Sequence, residues 1–324
     1  MKKIVITGAF GFIGSHLTEF LVEKGFRVIA FDRYNSNNHF GWLEQSKYYK
    51  DIEFVLGDIR DYDSVYNVLK NCDMCIHLAA LIGIPYSYVS PLAYIRTNIE
   101  GTYNVLESTK NLDINELIIT STSETYGSAQ YNPIDEKHPL VAQSPYSASK
   151  ISSDQLTLSY HKSFGLPIKI ARPFNVFGSR QSTRAIIPTI VSQLIQNEGV
   201  VKLGNINTRR DFTYVKDICS AYLEIMKRNE LIGHIINIGS NDNISIKDLV
   251  YKISEIMNIK AIIKEEIERK RNVNSEVDIL KCDNSKIIKF TDWLPTNKFS
   301  HSLKKTIDWY KKNNNLFNAH NYHV

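Results

Sequence analysis

Tyr146 and Lys150 stand four residues apart in the run Pro145-Tyr146-Ser147-Ala148-Ser149-Lys150. On a helix both side chains point to the same face. An ammonium beside a phenol favours the phenolate and lowers the tyrosine below its usual value of about 10. Such a tyrosine can take the proton of a substrate hydroxyl as hydride leaves the same carbon. Upstream lies a hydroxyl-rich run, Thr120-Ser121-Thr122-Ser123-Glu124-Thr125-Tyr126-Gly127. It follows a predicted strand, and the carboxyl ends of strands are where open α/β sheets bind ligands. A hydroxyl there can bond the oxygen that Tyr146 deprotonates.

A second group of residues sits at the amino terminus. Gly8, Gly11 and Gly14 follow the first predicted strand and open the first helix. Glycines at these points allow a tight turn, close approach of backbone to a pyrophosphate, and close packing of helix on strand. The free N–H groups of the helix start favour phosphate. Asp32 closes the second predicted strand. A carboxylate there accepts from the adenosine ribose hydroxyls and repels a 2′-phosphate, so the pattern predicts NAD rather than NADP, with Arg33 beside it as the opposing feature.

These residues need a frame that brings strand ends together. Residues 4–6, 28–31, 52–55, 74–78, 117–120 and 168–170 read as strands, with helical spacing between most of them. Strands with little alternation, separated by helices, predict a Rossmann-type doubly wound parallel sheet covered on both faces. After about Pro173 the rhythm weakens, and strands are predicted at 212–215 and 234–238. Helices are predicted at 246–257, with Ser245 as N-cap, and at 302–311. A smaller mixed α/β region is therefore expected after the first domain. The expected division is 1–173 plus about 212–238 for the dinucleotide, and about 174–211 with 239–324 for the second ligand. Residues 313–324 are polar and expected to fray.

Composition agrees with this frame. The 324 residues are 43% hydrophobic and 23% charged, which excludes a disordered or collagen-like chain. Lys and Arg number 39 and Asp and Glu 34, a net charge of +5 that calls for no nucleic acid and suits an anionic small molecule. No apolar run reaches the roughly 18 residues of a membrane span. Cys72, Cys75, Cys219 and Cys282 read as structural thiols, and the cytoplasm is the expected compartment. His77 lies within a strand and reads as a buried structural histidine, and the nine histidines show no metal spacing.

Several motifs in one order resemble the extended short-chain dehydrogenase/reductase family. They are Thr7-Gly8 to Gly14, Asp32, Gly57-Asp58, His77-Leu78-Ala79-Ala80, Asn98 to Thr102, Tyr146 to Lys150, Arg172-Pro173-Phe174-Asn175-Val176-Phe177-Gly178, and Arg210-Asp211-Phe212-Thr213-Tyr214-Val215. The resemblance implies NAD as cofactor and a nucleotide-diphosphate sugar as substrate. It implies that Asp58 and Ile59 contact the adenine, and that Leu78, Ala79 and Ala80 line the cofactor. Lys150 holds the nicotinamide ribose, and Thr122 bonds the substrate C4 oxygen. Gly8, Phe10, Gly11, Phe12, Ile13, Gly14, Asp32, Asn98, Thr120, Tyr146 and Pro173 complete the implied cofactor set. Ser87, Thr122, Glu124, Asn175, Arg180, Arg184, Arg210 and Arg271 form the implied substrate set, with the arginines suited to a diphosphate. A homodimer through residues 98–106 and the Tyr146 helix is also implied. Residues 264–271 otherwise read as a solvated charged face, and recognition of the nucleotide base is expected between Pro188 and Arg210.

Glu124 bears on the reaction. Simple C4 epimerases resemble Ser-Ser-x-x-x-Tyr-Gly at this point, whereas Thr-Asp-Glu and Thr-Ser-Glu occur in sugar 4,6-dehydratases and UDP-glucuronate decarboxylases. In a dehydratase, oxidation at C4 acidifies the C5 proton, a glutamate removes it, water leaves from C6 and hydride returns to C6. Ser123 stands where glucose dehydratases carry Asp, so water loss would use Ser123, Glu124 itself or a relay. The segments 121–139, 143–146 and 172–189 look like the N-acetylglucosamine nucleotide 4,6-dehydratases of legionaminic-acid pathways, which use GDP- or UDP-linked sugars. A decarboxylase, with Arg184 on the substrate carboxylate, and a C4 epimerase are the alternatives. A binding protein with a dead site is disfavoured because Thr122, Tyr146 and Lys150 are all present.

Overall fold

The computed structural model describes residues 2–270 and 275–316. The first half alternates strand and helix: β1 (Lys3–Thr7), α1 (Phe12–Glu23), β2 (Arg27–Arg33), β3 (Ile52–Gly57), α2 (Tyr62–Leu69), β4 (Met74–His77), α3 (Ile84–Val89), α4 (Pro91–Tyr94), α5 (Gly101–Asn111), β5 (Glu116–Thr120), α6 (Pro145–Phe164) and β6 (Ile168–Pro173). The second half is made of smaller pieces: β7 (Asn175–Phe177), α7 (Ile186–Gln196), β8 (Val200–Leu203), β9 (Arg209–Arg210), β10 (Phe212–Tyr214), α8 (Val215–Met226), β11 (Ile235–Ile238), β12 (Ile244–Ser245), α9 (Ile246–Met257), β13 (Ile262–Glu265), α10 (Ser285–Phe290) and α11 (Phe299–Lys312).

Seven strands form one sheet in the order β3-β2-β1-β4-β5-β6-β11, and every pair is parallel. This is the expected doubly wound fold. Strand residues alternate between two apolar layers. Ile4 and Ile6 of β1 join Leu17, Leu21, Ile218 and Ile225 on one face, while Val5 joins Val65, Leu69, Val105 and Leu106 on the other. Each such side chain is worth about 1.5–3 kcal/mol when fully buried, which fixes register and sidedness together. The four cysteines are buried free thiols.

Strand order reverses between β1 and β4, and the crevice opens there, beyond the carboxyl ends of the strands. The hydroxyl of Ser144 accepts from the Ser147 amide at 3.0 Å, Pro145 occupies the first turn, and Gly165 ends α6 with φ of 71°. That start places Tyr146 in the first turn of α6, beside the end of β5. Ser245 caps α9 as expected, bonding the Asp248 amide at 3.0 Å. The expected strand at 212–215 ends one residue early, because Val215 opens α8. β10 pairs with β7 in a separate two-stranded ribbon, whereas β11 joins the main sheet. No helix among the described residues is long and apolar enough to cross a membrane.

Candidate active site

A cleft of about 1240 Å³ runs along the carboxyl ends of β1, β2, β4, β5 and β6. Its first end is the turn from β1 into α1. Gly8 has φ of +72°, and a Cβ there would lie 2.8 Å from the backbone of Ala79. A Cβ on Gly14 would lie 2.1 Å from the Gly8 carbonyl oxygen. Both methyl groups are sterically excluded, so the backbone itself forms a cradle at the start of α1. No side chain caps this helix, so its first amides face the cleft without a competing acceptor.

Asp32 marks the next position. One carboxylate oxygen accepts from the Phe10 amide at 2.8 Å and the other from the Arg33 amide at 2.7 Å. Burial raises its pKa, and these two hydrogen bonds oppose the rise. Arg60 grips Asp58 through Nη2 at 2.5 Å and holds that carboxyl low. Arg60 also lines the cleft and was not anticipated from sequence.

The floor between the strand ends is built on a buried histidine. Thr7 Oγ1 lies 2.7 Å from His77 Nδ1 and also accepts from the amides of Leu78 and Ala79 at 3.2 Å each. The Thr7 proton therefore goes to Nδ1, and the neutral ring places its own proton on Nε2, toward Thr102. Burial, and secondarily the charge of Lys150, push His77 down to about 3. His16 of α1 sits under the Ser179 carbonyl at 3.1 Å, and burial followed by Arg180 pushes it down to about 4.

These two histidines set an acid limit on stability. In the unfolded chain both titrate near 6.5, so unfolding takes up protons between that value and their folded values. Stability is then full above about pH 6.5 and falls as pH drops toward 4, with each histidine costing up to about 1.4 kcal/mol per pH unit. Asp211 acts in reverse: burial raises it to about 6, so its contribution improves as pH falls through that value. Burial raises Asp32, Glu116, Glu136 and Asp217 as well, and they act with Asp211, so the histidine contribution is read in denaturant unfolding between pH 7 and 4.5 as the difference between wild type and a histidine variant. His77→Gln should have a shallower pH slope than the wild type, and equal slopes would refute the assignment.

At the centre of the cleft stand Thr120, Thr122, Glu124, Tyr146 and Lys150. A single turn of 3₁₀ helix over Ser123–Tyr126 carries Glu124; Thr122 Oγ1 caps it, accepting from the Glu124 amide at 3.2 Å. Ser147 of α6 donates to the Glu124 carbonyl at 2.6 Å, clamping that turn to the helix bearing Tyr146. Tyr146 is buried against Tyr94, ring centroids 6.1 Å apart, and its phenol hydrogen-bonds Thr122. Burial pushes the phenol above its ordinary value; the Thr122 bond opposes this, and the charge of Glu124 adds to it. The expected depression by Lys150 is therefore corrected. The lysine is buried too, its ammonium donates to the Thr120 carbonyl at 2.7 Å, and desolvation is the largest influence on both groups.

Most of the expected residues line this cleft: Gly8, Gly11, Phe12, Ile13, Gly14, Asp32, Asp58, Ile59, Leu78, Ala79, Ala80, Thr120, Pro173, Asn175, Arg180, Arg184 and Arg210. Four others sit behind its wall. Phe10 packs its ring in the core, donating its amide to Asp32 and accepting from the Trp42 amide at its carbonyl. Ser123 is 3% exposed and turned inward. Ser87 is buried and bonds the Ile84 carbonyl within its own helix. Asn98 is buried and reads Leu81 on both sides, accepting from its amide at 2.8 Å and donating to its carbonyl at 3.0 Å. Arg271 lies outside the described residues.

The far end of the cleft is cationic. Arg180 pairs with Glu19 at 2.9 Å, and Arg210 lies 3.6 Å from Glu276. Arg184 forms no ion pair with a carboxylate among the described residues, and its Nη1 faces Gly83. Parallel pairing of β8 with β13 brings Lys202 and Arg269 to the same wall, both held by Glu266 at 2.8 Å. The expectation that 264–271 is only a solvated face is thus corrected for Arg269. Local sequence carries no sign of that long-range pairing.

The chain is 35% identical over 274 residues to a dTDP-D-glucose 4,6-dehydratase of Dictyostelium discoideum, covering 79% of this chain and 62% of that protein. The solved dTDP-glucose 4,6-dehydratase of Streptomyces venezuelae, with NAD bound, superposes with a TM-score of 0.88 at 26% identity, covering 97% of this chain and 98% of that one. A UDP-glucuronic acid 4-epimerase of Bacillus cereus, solved with UDP-glucuronic acid and NAD, gives 0.86 at 29% identity, covering 96% and 99%. A family model described as GDP-mannose 4,6 dehydratase matches residues 5–306, from β1 into α11. With sheet, cleft and catalytic-type side chains all inside that span, the chain belongs to the GDP-mannose 4,6-dehydratase family.

Proposed function

We propose that the chain is an NAD-dependent 4,6-dehydratase of a GDP- or UDP-linked N-acetylglucosamine, of the legionaminic-acid type. The observation that carries this reading is the placement of Glu124 beside Thr122 and Tyr146 in one cleft. An oxidation at C4 needs only the tyrosine, the threonine and the lysine; a carboxylate at the same spot adds a base for C5.

NAD fits the first half of the cleft. The glycine cradle, the uncapped start of α1 and Asp32 suit its pyrophosphate and adenosine ribose, with Asp58 and Ile59 beside the adenine. When bound, NAD supplies a reversible hydride acceptor. The chain's own residues move the protons. Thr122 Oγ1 holds the C4 oxygen and the Tyr146 hydroxyl oxygen takes its proton. Lys150 orients the ribose and supplies positive charge beneath the tyrosine. Glu124 takes the C5 proton and then returns a proton to the C6 hydroxyl, which departs as water. Ser123, turned into the core, is not needed for that step.

Arg180, Arg210, Lys202 and Arg269 suit the diphosphate half of the substrate. Residues 1–173 with 212–238 would hold the cofactor, and 174–211 with 239–324 the sugar nucleotide. Tyr103 and Phe164 are exposed on α5 and α6, which supports pairing of two copies through these helices; a single-chain mass in sedimentation would remove that part of the reading.

The test is incubation with UDP- and GDP-N-acetylglucosamine, followed by product mass. Loss of one water is expected with one of them. A second reading rests on Arg184, a cation close to Gly83 without a carboxylate partner among the described residues, which suits a uronate carboxylate. Loss of carbon dioxide from UDP-glucuronate would establish decarboxylation, and unchanged mass with altered configuration would establish epimerisation; either outcome overturns the dehydratase.

A further inference from the structure

We propose that Asp154 and Arg172 form a buried positioning pair that keeps Lys150 an ammonium ion and fixes the Ser121–Thr122 strand end for proton transfer. The inference rests on the reading of Tyr146 and Lys150 given above, and adds two residues that do not touch the cleft.

The placement is specific. Tyr146, Lys150 and Asp154 follow one another at successive turns on one face of α6. Asp154 Oδ2 accepts from Arg172 Nη2 at 2.6 Å and from the Ser121 hydroxyl at 2.6 Å. Arg172 closes the triangle, with Nε 3.4 Å from the Ser121 oxygen. Its guanidinium stacks on Tyr126 at 4.6 Å, and the Tyr126 hydroxyl donates to Asn237 at 2.7 Å. Ser121 precedes Thr122, and Arg172 precedes the cleft residue Pro173. The pair therefore ties the helix carrying Tyr146 and Lys150 to the ends of β5 and β6, the first of which leads into Thr122 and the second of which ends in the cleft residue Pro173.

Stability alone does not account for such a pair. Neither residue has any solvent exposure, and Asp154 Oδ1 and Arg172 Nη1 have no hydrogen-bond partner among the described residues. A buried ion pair with unmet valences is commonly no more stabilising than apolar side chains of the same volume. Its electrostatic effect on Lys150 is direct. Burial disfavours the ammonium, Asp154 supports it, and Arg172 opposes it. The other titratable group facing Lys150 from the sheet is His77, which is held neutral, and Tyr146 faces it from α6 with Glu124 beyond. Among the described residues, Asp154 is thus the anion behind the lysine that offsets both its burial and the neighbouring guanidinium.

Two variants test this in the full-length protein, each by two readouts. One is the pH–rate profile of NAD reduction with the nucleotide sugar that turns over. The other is the NMR titration of isotopically labelled lysine at Cε, which needs no turnover. Asp154→Asn should move the Lys150 midpoint, and with it the pH at which the rate stops rising, down by about one pH unit or more, leaving KM within about twofold. Arg172→Met should move both upward. A purely structural role would lower the rate equally at every pH. Unmoved midpoints, or displacement of both variants in the same direction, would overturn the proposal. If only one variant folds, its direction alone decides. Shifted NMR midpoints in a protein that turns over no nucleotide sugar would uphold the pair and discard the dehydratase reading.

Discussion

Replacing Tyr146 with Phe is expected to slow the first oxidation by about 10²–10⁴-fold, which is the usual worth of a positioned acid or base. The ring remains free to pack against Tyr94 and Ile84, so folding and KM should change little. Only the hydroxyl on Thr122 is lost. The pH dependence carries the same information. Burial holds the phenol above its ordinary value, so the phenolate fraction, and with it the rate, should rise from neutral toward alkaline pH. The Phe variant should show a low rate without that rise. A rate within tenfold of the wild type would remove the proton-transfer role.

The second large effect belongs to Glu124→Gln. In heavy water the wild type should give a product carrying one solvent deuteron at C5. The Gln variant keeps the size and the capped turn but has no base, so incorporation and water loss should fall by about 10²–10⁴-fold. Cofactor reduction, read by its absorbance, should persist, because Thr122, Tyr146 and Lys150 are untouched. Undiminished deuterium incorporation would sink the role. Loss of reduction as well would mean that Glu124 holds the sugar rather than its C5 proton.

Much of this site is legible in the sequence, for a physical reason. The glycine turn, Asp32 and the Tyr146–Lys150 spacing are local patterns, and local patterns survive into the fold because helix and strand periods fix where neighbouring side chains point. Ser245 as the start of α9 belongs to the same class. What was hidden depends on distant pairing or on burial. Lys202 and Arg269 share a wall only because β8 pairs with β13. The phenol of Tyr146 is governed by desolvation, which spacing does not reveal. Asn98 and Ser123 look like polar lining residues in sequence, yet both turn inward. Arg172 and Asp154 lie 18 positions apart in sequence, and only the closed fold brings them together as a buried ion pair.

The double hydrogen bond from Asn98 to Leu81 has a thermodynamic consequence. A side chain that satisfies both the amide and the carbonyl of one loop residue does the work of an absent neighbouring strand. The wall from Leu78 to Gly83 is thereby ordered as the chain folds. Fixing backbone costs about 1–2 kcal/mol of conformational entropy per residue. For this wall that cost falls on folding, and ligand association meets a rigid surface whose entropy has already been surrendered.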